Sequence, residues 1–152
     1  MNYLSFLPCA VLVLSTSAFA SATTSARCVS IDNQAIEVLF ERWNDALRSG
    51  NAEKVADNYL SDAVLLPALS NKPARTDAER IDYFTHFLEK KPVGRIDTRT
   101  IRLGCNEAID TGTYTFTLAD MTTVAARYTF TWFWTGTEWK ISSHHSSAMP
   151  EG

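Results

Sequence analysis

Positive charge is scarce in this sequence. Lys and Arg number 14 against 17 Asp and Glu, a formal net charge of −3, and a chain without a basic surplus is not built to track nucleic acid. No apolar run reaches the ~20 residues that a bilayer-spanning helix requires. Metal-ligand spacing is missing as well. His144 and His145 are adjacent, with no Cys, Asp or Glu within four residues of either. Neighbours on a strand point to opposite faces, so the two cannot chelate one ion together and no metal is expected. The six glycines form no phosphate loop, and Ser146-Ser147 lacks the G-x-S-x-G setting of a serine nucleophile. Nothing calls for a cofactor.

What is present suits one domain with a real core: 152 residues, 45% hydrophobic and 20% charged. Tyr3 to Leu14 is almost wholly apolar, and a Ser/Thr/Ala stretch closes on Ala18-Phe19-Ala20. That is an A-x-A cleavage pattern, although no Lys or Arg precedes the apolar run. The expectation is a signal peptide over 1–20, a small polar linker over 21–31 and a single domain over 32–150. The mature protein would be exported, to the periplasm or the extracellular space, without a stable membrane anchor. Cleavage after Ala20 would remove Cys9 and leave Cys28 and Cys105. In an oxidising compartment that even pair suggests a disulfide, worth up to about 4 kcal/mol in the chain-entropy description. Two buried free thiols would fit the same spacing.

From Asp32 the pattern is helical, with Ile36, Leu39, Phe40, Trp43 and Leu47 on one stripe and Ser49-Gly50-Asn51 as its stop. Asn51 can cap a short second helix carrying Val55, Ala56 and Tyr59. Val64-Leu65-Leu66 reads as a brief strand ended by Pro67. Thr76-Asp77-Ala78-Glu79 is a capping box that starts a third helix, with Ile81, Phe84 and Leu88 inward and Tyr83 and Phe87 flanking. Four strands follow, over Arg95 to Leu103, Ala108 to Leu118, Thr123 to Trp134 and Trp139 to Ser147.

Two of those strands alternate cleanly. Thr111, Thr113, Thr115 and Thr117 oppose Tyr114, Phe116 and Leu118; Arg127, Thr129 and Thr131 oppose Tyr128, Phe130, Trp132 and Trp134. An aromatic face wants helices against it, and a threonine face must meet water or a partner. The fold class is therefore α+β, a mostly antiparallel sheet wrapped around N-terminal helices.

Three stretches carry a family resemblance: Ala46-Leu47-Arg48-Ser49-Gly50-Asn51, Gly136-Thr137-Glu138-Trp139, and Ser143-His144-His145-Ser146-Ser147-Ala148-Met149-Pro150. Together they resemble the association (hub) domain of calcium/calmodulin-dependent protein kinase II and its bacterial relatives, within the nuclear-transport-factor-2-like and SnoaL-like superfamily. The resemblance runs from about Asn33 to Pro150. It implies a cone-shaped fold with a solvent-reaching pocket, and a homodimer built through the sheet that sometimes stacks into larger rings. It does not imply kinase activity. The kinase hub lines its cavity with arginines on the central strands, where this sequence reads Tyr114 and Phe130. Carboxylate binding of that kind would need Arg75, Arg102 or Arg127 as a substitute.

The parity of Trp139, Ile141 and Ser143 carries His145 to the inner face, where it could act as an acid or base or be held as a core histidine. Strands 111–118 and 123–134 hold no acidic residue, and Asp110 reads as a strand end. The expected pocket is lined by Trp43, Tyr59, Tyr114, Tyr128, Phe130 and His145. The function these residues point to is an exported, dimerising protein that takes a small organic ligand. The alternative is a SnoaL-like isomerase, dehydratase or cyclase with His145 as proton shuttle.

Overall fold

A computed structural model describes residues 27–68 and 70–150; the expected signal peptide and most of the linker lie outside them. Helix α1 (Asn33–Arg48) begins because Asp32 accepts a hydrogen bond from the Ala35 amide at 2.8 Å. It buries Ile36, Leu39, Phe40, Trp43, Asn44 and Leu47, a stripe of 3–4 spacing. Gly50, at φ 68°, then turns the chain through the left-handed region that glycine tolerates. Asn51 caps α2 (Ala52–Ala56), as its position suggests.

Tyr59 does not extend α2. The Asn58 side chain donates to the Lys54 and Val55 carbonyls, at 2.9 and 3.3 Å, and so absorbs the helix end. Tyr59 instead opens strand β1 (Tyr59–Leu66), which is longer than the three apolar residues suggest. The capping box forms as read: Thr76 accepts from the Glu79 amide while the Glu79 carboxylate accepts from the Thr76 amide. Helix α3 (Asp77–Leu88) follows. Its buried stripe is Arg80, Phe84 and Leu88, so an arginine takes the place expected of Ile81.

Strands β2 (Val93–Leu103), β3 (Glu107–Thr117), β4 (Thr123–Trp134) and β5 (Trp139–Ala148) complete one sheet of order β1-β5-β4-β3-β2. Only the β1–β5 pair is parallel. Tyr114, Phe116, Tyr128, Phe130 and Trp132 are buried against α1 and α3, while the threonines lie on the other side. The chain is thus the α+β fold that the alternation implied, in the cone form that the resemblance implied, with its rings inward.

Three irregularities shape the cone. In β2 the register jumps between Ile96 and Thr98, and the Thr98 carbonyl there crowds Gly112: a Cβ on residue 112 would stand 1.9 Å from it. In β5, Trp132 pairs with Ile141 and Thr131 with Ser143, leaving Ser142 unpaired as a bulge. In β1, Tyr59 pairs with Ile141 but Val64 with Ser143, so residues 60–63 arch away from the ladder. Arg80, fully buried, fills that arch. It donates to the carbonyls of Ala63 at 2.6 Å and of Leu60 and Ser61 at 2.9 Å.

Cys28 and Cys105 are bonded, closing a sequence separation of 77 residues and tying the segment before α1 to the β2–β3 turn. Asn106 in the same turn accepts from the Val29 amide at 2.8 Å. Reduction should cost about 2–4 kcal/mol. Urea unfolding with and without dithiothreitol measures this, and coincident midpoints would contradict it.

Candidate functional site

The parity argument for His145 fails at the β5 bulge. The extra residue, Ser142, reverses the facing of everything after it, so His144 points in and His145 points out. His144 is 3% exposed, whereas His145 is exposed on the threonine face opposite Thr129. The inward histidine is therefore His144, and His145 cannot serve as a proton shuttle in the cone.

His144 is held on three sides. Its ring stacks on Phe130 at 4.0 Å, and the Trp43 ring stands edge-on at 5.4 Å. Its Nδ1 lies 2.9 Å from the Tyr59 hydroxyl, which also accepts from Trp43 Nε1 at 3.1 Å. Donor counting assigns the protons. Trp43 can only donate, so the Tyr59 proton goes to Nδ1 and the imidazole carries its own proton on Nε2. The opposite tautomer would strand both the Tyr59 proton and the Nε2 lone pair. Burial, aided by neighbouring His145, pushes the His144 pKa down to about 3, so the ring is neutral at ordinary pH. Nε2 is buried with no hydrogen-bond partner among the described residues.

His144 lines a narrow hollow of about 70 Å³. Trp43, Phe84, Tyr114 and Phe116 supply ring walls, while Ala126 and Ala148, register partners on β4 and β5, leave space between them. Ser146 also faces it and accepts from the Tyr114 hydroxyl at 2.6 Å. Burial raises the Tyr114 pKa, so that hydroxyl stays protonated. The hollow shares Tyr83, Phe87 and Lys90 with an outer shelf of about 340 Å³. Tyr83 and Phe87 stack at 5.9 Å between the two.

Of the expected pocket residues, Trp43 and Tyr114 line this hollow. Tyr59 and Phe130 stand behind His144 and position it. Tyr128 belongs elsewhere: its hydroxyl donates to Asp110 Oδ1 at 2.9 Å, and Arg99 Nε donates to the same oxygen at 3.1 Å. Arg99 also lies over the Phe40 ring at 5.6 Å. Asp110 is fully buried, and burial raises its pKa against the opposing pull of Arg99 and Tyr128. Asp110 thus sits inside β3 rather than at a strand end. The signal was available, since stepping back by twos from Phe116 and Tyr114 reaches Gly112, Asp110 and Ala108 on the inner face.

Arg75, Arg102 and Arg127 are all exposed, so none replaces an inward arginine. The Arg80 guanidinium is turned to β1 carbonyls and Asp77 and that of Arg99 to Asp110, and neither residue lines the hollow. Arg80 Nε and Arg99 Nη2 have no partner among the described residues. Among the described residues no group of three or more His, Cys, Asp or Glu side chains is placed to hold a metal ion.

Residues 32–150 match the model of the calcium/calmodulin dependent protein kinase II association domain. A solved Xanthomonas campestris structure whose name refers to that same domain is 45% identical, with TM-score 0.74; the match covers 83% of this chain and 96% of that one. A Pseudomonas putida NTF2-like protein of unknown function shares 18% identity at TM-score 0.68, over 78% of this chain and 87% of its own. An NTF2-like protein with a cystatin-like fold from Novosphingobium aromaticivorans shares 15% at TM-score 0.65, over 80% and 84%. The last two speak for the fold alone. No curated protein matches the sequence.

Proposed function

Since the chain belongs to the calcium/calmodulin dependent protein kinase II association domain family, we propose that it works as an exported association module, not a kinase, that pairs with itself and holds a small organic molecule. The observation that carries the binding reading is His144: a neutral buried donor without a partner, set beside a ring-walled hollow. A buried polar group left unmatched costs about 1–3 kcal/mol. Of the buried side-chain atoms without a partner among the described residues, His144 Nε2 is the one whose residue lines this hollow. An acid–base role gains nothing from this arrangement, because an imidazole of such low basicity takes up a proton poorly.

The pairing surface is the outer side of the sheet. Thr111 and Thr129 are hydrogen-bonded across β3 and β4 at 2.9 Å, and Ile109 and Phe133, 39% and 43% exposed, extend the same face with apolar area. Thr131→Arg should leave a monomer by light scattering where the parent is a dimer. A parent that is itself monomeric at tens of micromolar removes the pairing. Export is supported by the Cys28–Cys105 bond, which suits an oxidising compartment.

Native mass spectrometry of protein purified from its own host tests the whole reading. The expected result is a multiple of the mature chain mass with a small molecule retained per subunit. A bare monomer that also fails to take up any ring-bearing probe would overturn it.

A further inference from the structure

Resting on that binding reading, we propose that the hollow selects a flat, ring-bearing molecule with a carbonyl-type oxygen, which accepts a hydrogen bond from His144 Nε2–H. Three observations converge on this ligand class.

The first is polarity. The Tyr59 hydroxyl occupies Nδ1, so the edge of His144 that remains is a donor. Ser146 already accepts from Tyr114, so its own proton is a second donor. No carboxylate lines the hollow, and the one charged residue at its mouth is Lys90. A site whose free hydrogen-bonding groups are donors, and whose one charged neighbour is a lysine, favours a ligand oxygen.

The second is shape. Ala126 and Ala148 face each other across β4 and β5, beside the inward pair Tyr128 and Ser146, and three of these last four inward positions on the two strands carry small side chains. The missing side chains leave a slot against the sheet, between Tyr114 and Phe116 on one strand and the rings of Trp43 and Phe84 above. Trp43 meets Phe84 and Phe116 edge-on, at 6.4 Å in both cases. A planar ring fits such walls in the offset or edge-to-face geometry that aromatic groups prefer.

The third is access. The hollow and the outer shelf share Tyr83, Phe87 and Lys90 as walls, and the two rings are only half-buried. A ring larger than the resting hollow of about 70 Å³ would enter by parting this stacked pair.

The decisive probes are acetophenone and α-methylstyrene, planar molecules of nearly one shape that differ in having C=O or C=CH2. Binding to the full mature protein is followed by protein NMR titration, with the imidazole nitrogens of His144 observed by long-range proton–nitrogen correlation. Acetophenone is expected to bind at least tenfold more tightly, and to shift the Nε2 signal where α-methylstyrene does not. The free protein should already show the Nε2–H tautomer at pH 7. That last observation needs no variant, so it holds even if His144→Phe fails to fold. Equal affinity for the two probes, or an Nδ1–H tautomer, overturns the donor assignment while the hollow stands as a binding site. If neither probe binds, the small-molecule reading itself falls.

Discussion

Acidification from pH 7 to pH 4.5 should remove about 3 kcal/mol of stability through His144 alone. An unfolded histidine titrates near ~6.5, while burial holds folded His144 to a pKa of about 3. Between those values the unfolded chain carries a proton that the folded chain refuses, so unfolding is favoured by roughly 1.4 kcal/mol per pH unit. The contribution is fully present above about pH 6.5 and is lost as pH falls toward 3. Two groups oppose the trend. Asp110, by burial, and His86, by its hydrogen bond to the Asp82 carbonyl, both have raised pKa values and bind protons more readily in the folded state. The difference between parent and variant isolates His144. Urea midpoints measured every half pH unit should fall more steeply for the parent than for His144→Phe, which keeps a ring on Phe130 and has nothing to protonate. Parallel curves would mean that this imidazole is not shielded from water.

Arg80→Leu should cost roughly 3–5 kcal/mol. Three β1 carbonyls lose their donors at once, and hydrogen bonds from a charged group contribute about 1.5–3 kcal/mol each. No rearranged backbone can recover them, because residues 60–63 have no ladder partner on β5. Arg80 also lies 5.7 Å from the Tyr59 ring, the residue that fixes the tautomer of His144. Arg80→Lys should fall between parent and Leu, since an ammonium keeps the charge but cannot fork to several acceptors in one plane. Thermal melting with circular dichroism decides this. A Leu variant within about 1 kcal/mol of the parent would show that water, not arginine, satisfies the arch.

Features written in neighbouring residues were legible in the sequence. The Thr76–Glu79 capping box, the Asp32 start of α1 and the bounds of β4 each depend on a few adjacent side chains. The inward rings were legible too, because β3 and β4 alternate without interruption through Tyr114, Phe116, Tyr128 and Phe130. What escaped depends on distant partners. Tyr59 reads as helical from its own neighbours, yet parallel pairing with β5 draws it into the sheet. Arg80 falls outside the apolar stripe of Ile81, Phe84 and Leu88, and its burial follows only from three carbonyls of another element. The identity of the inward histidine turned on Ser142, and a run such as Ser142-Ser143-His144-His145 carries no mark of where a bulge will fall. Trp43 and Tyr114 line the hollow, whereas Tyr128 is turned to an aspartate whose burial the same alternation could have revealed.

The unpaired serine in β5 divides one strand into two independent readers. Its first half, with Trp139 and Ile141, answers to the hairpin and to α1; its second half anchors His144 on Phe130, Trp43 and Tyr59 and then turns Ser146 and Ala148 to the hollow. Residue choice at Ser146 and Ala148 can therefore drift toward a new guest without disturbing the anchor before them. One scaffold can in this way be retuned for different contents, the tail of its final strand serving as an exchangeable lining.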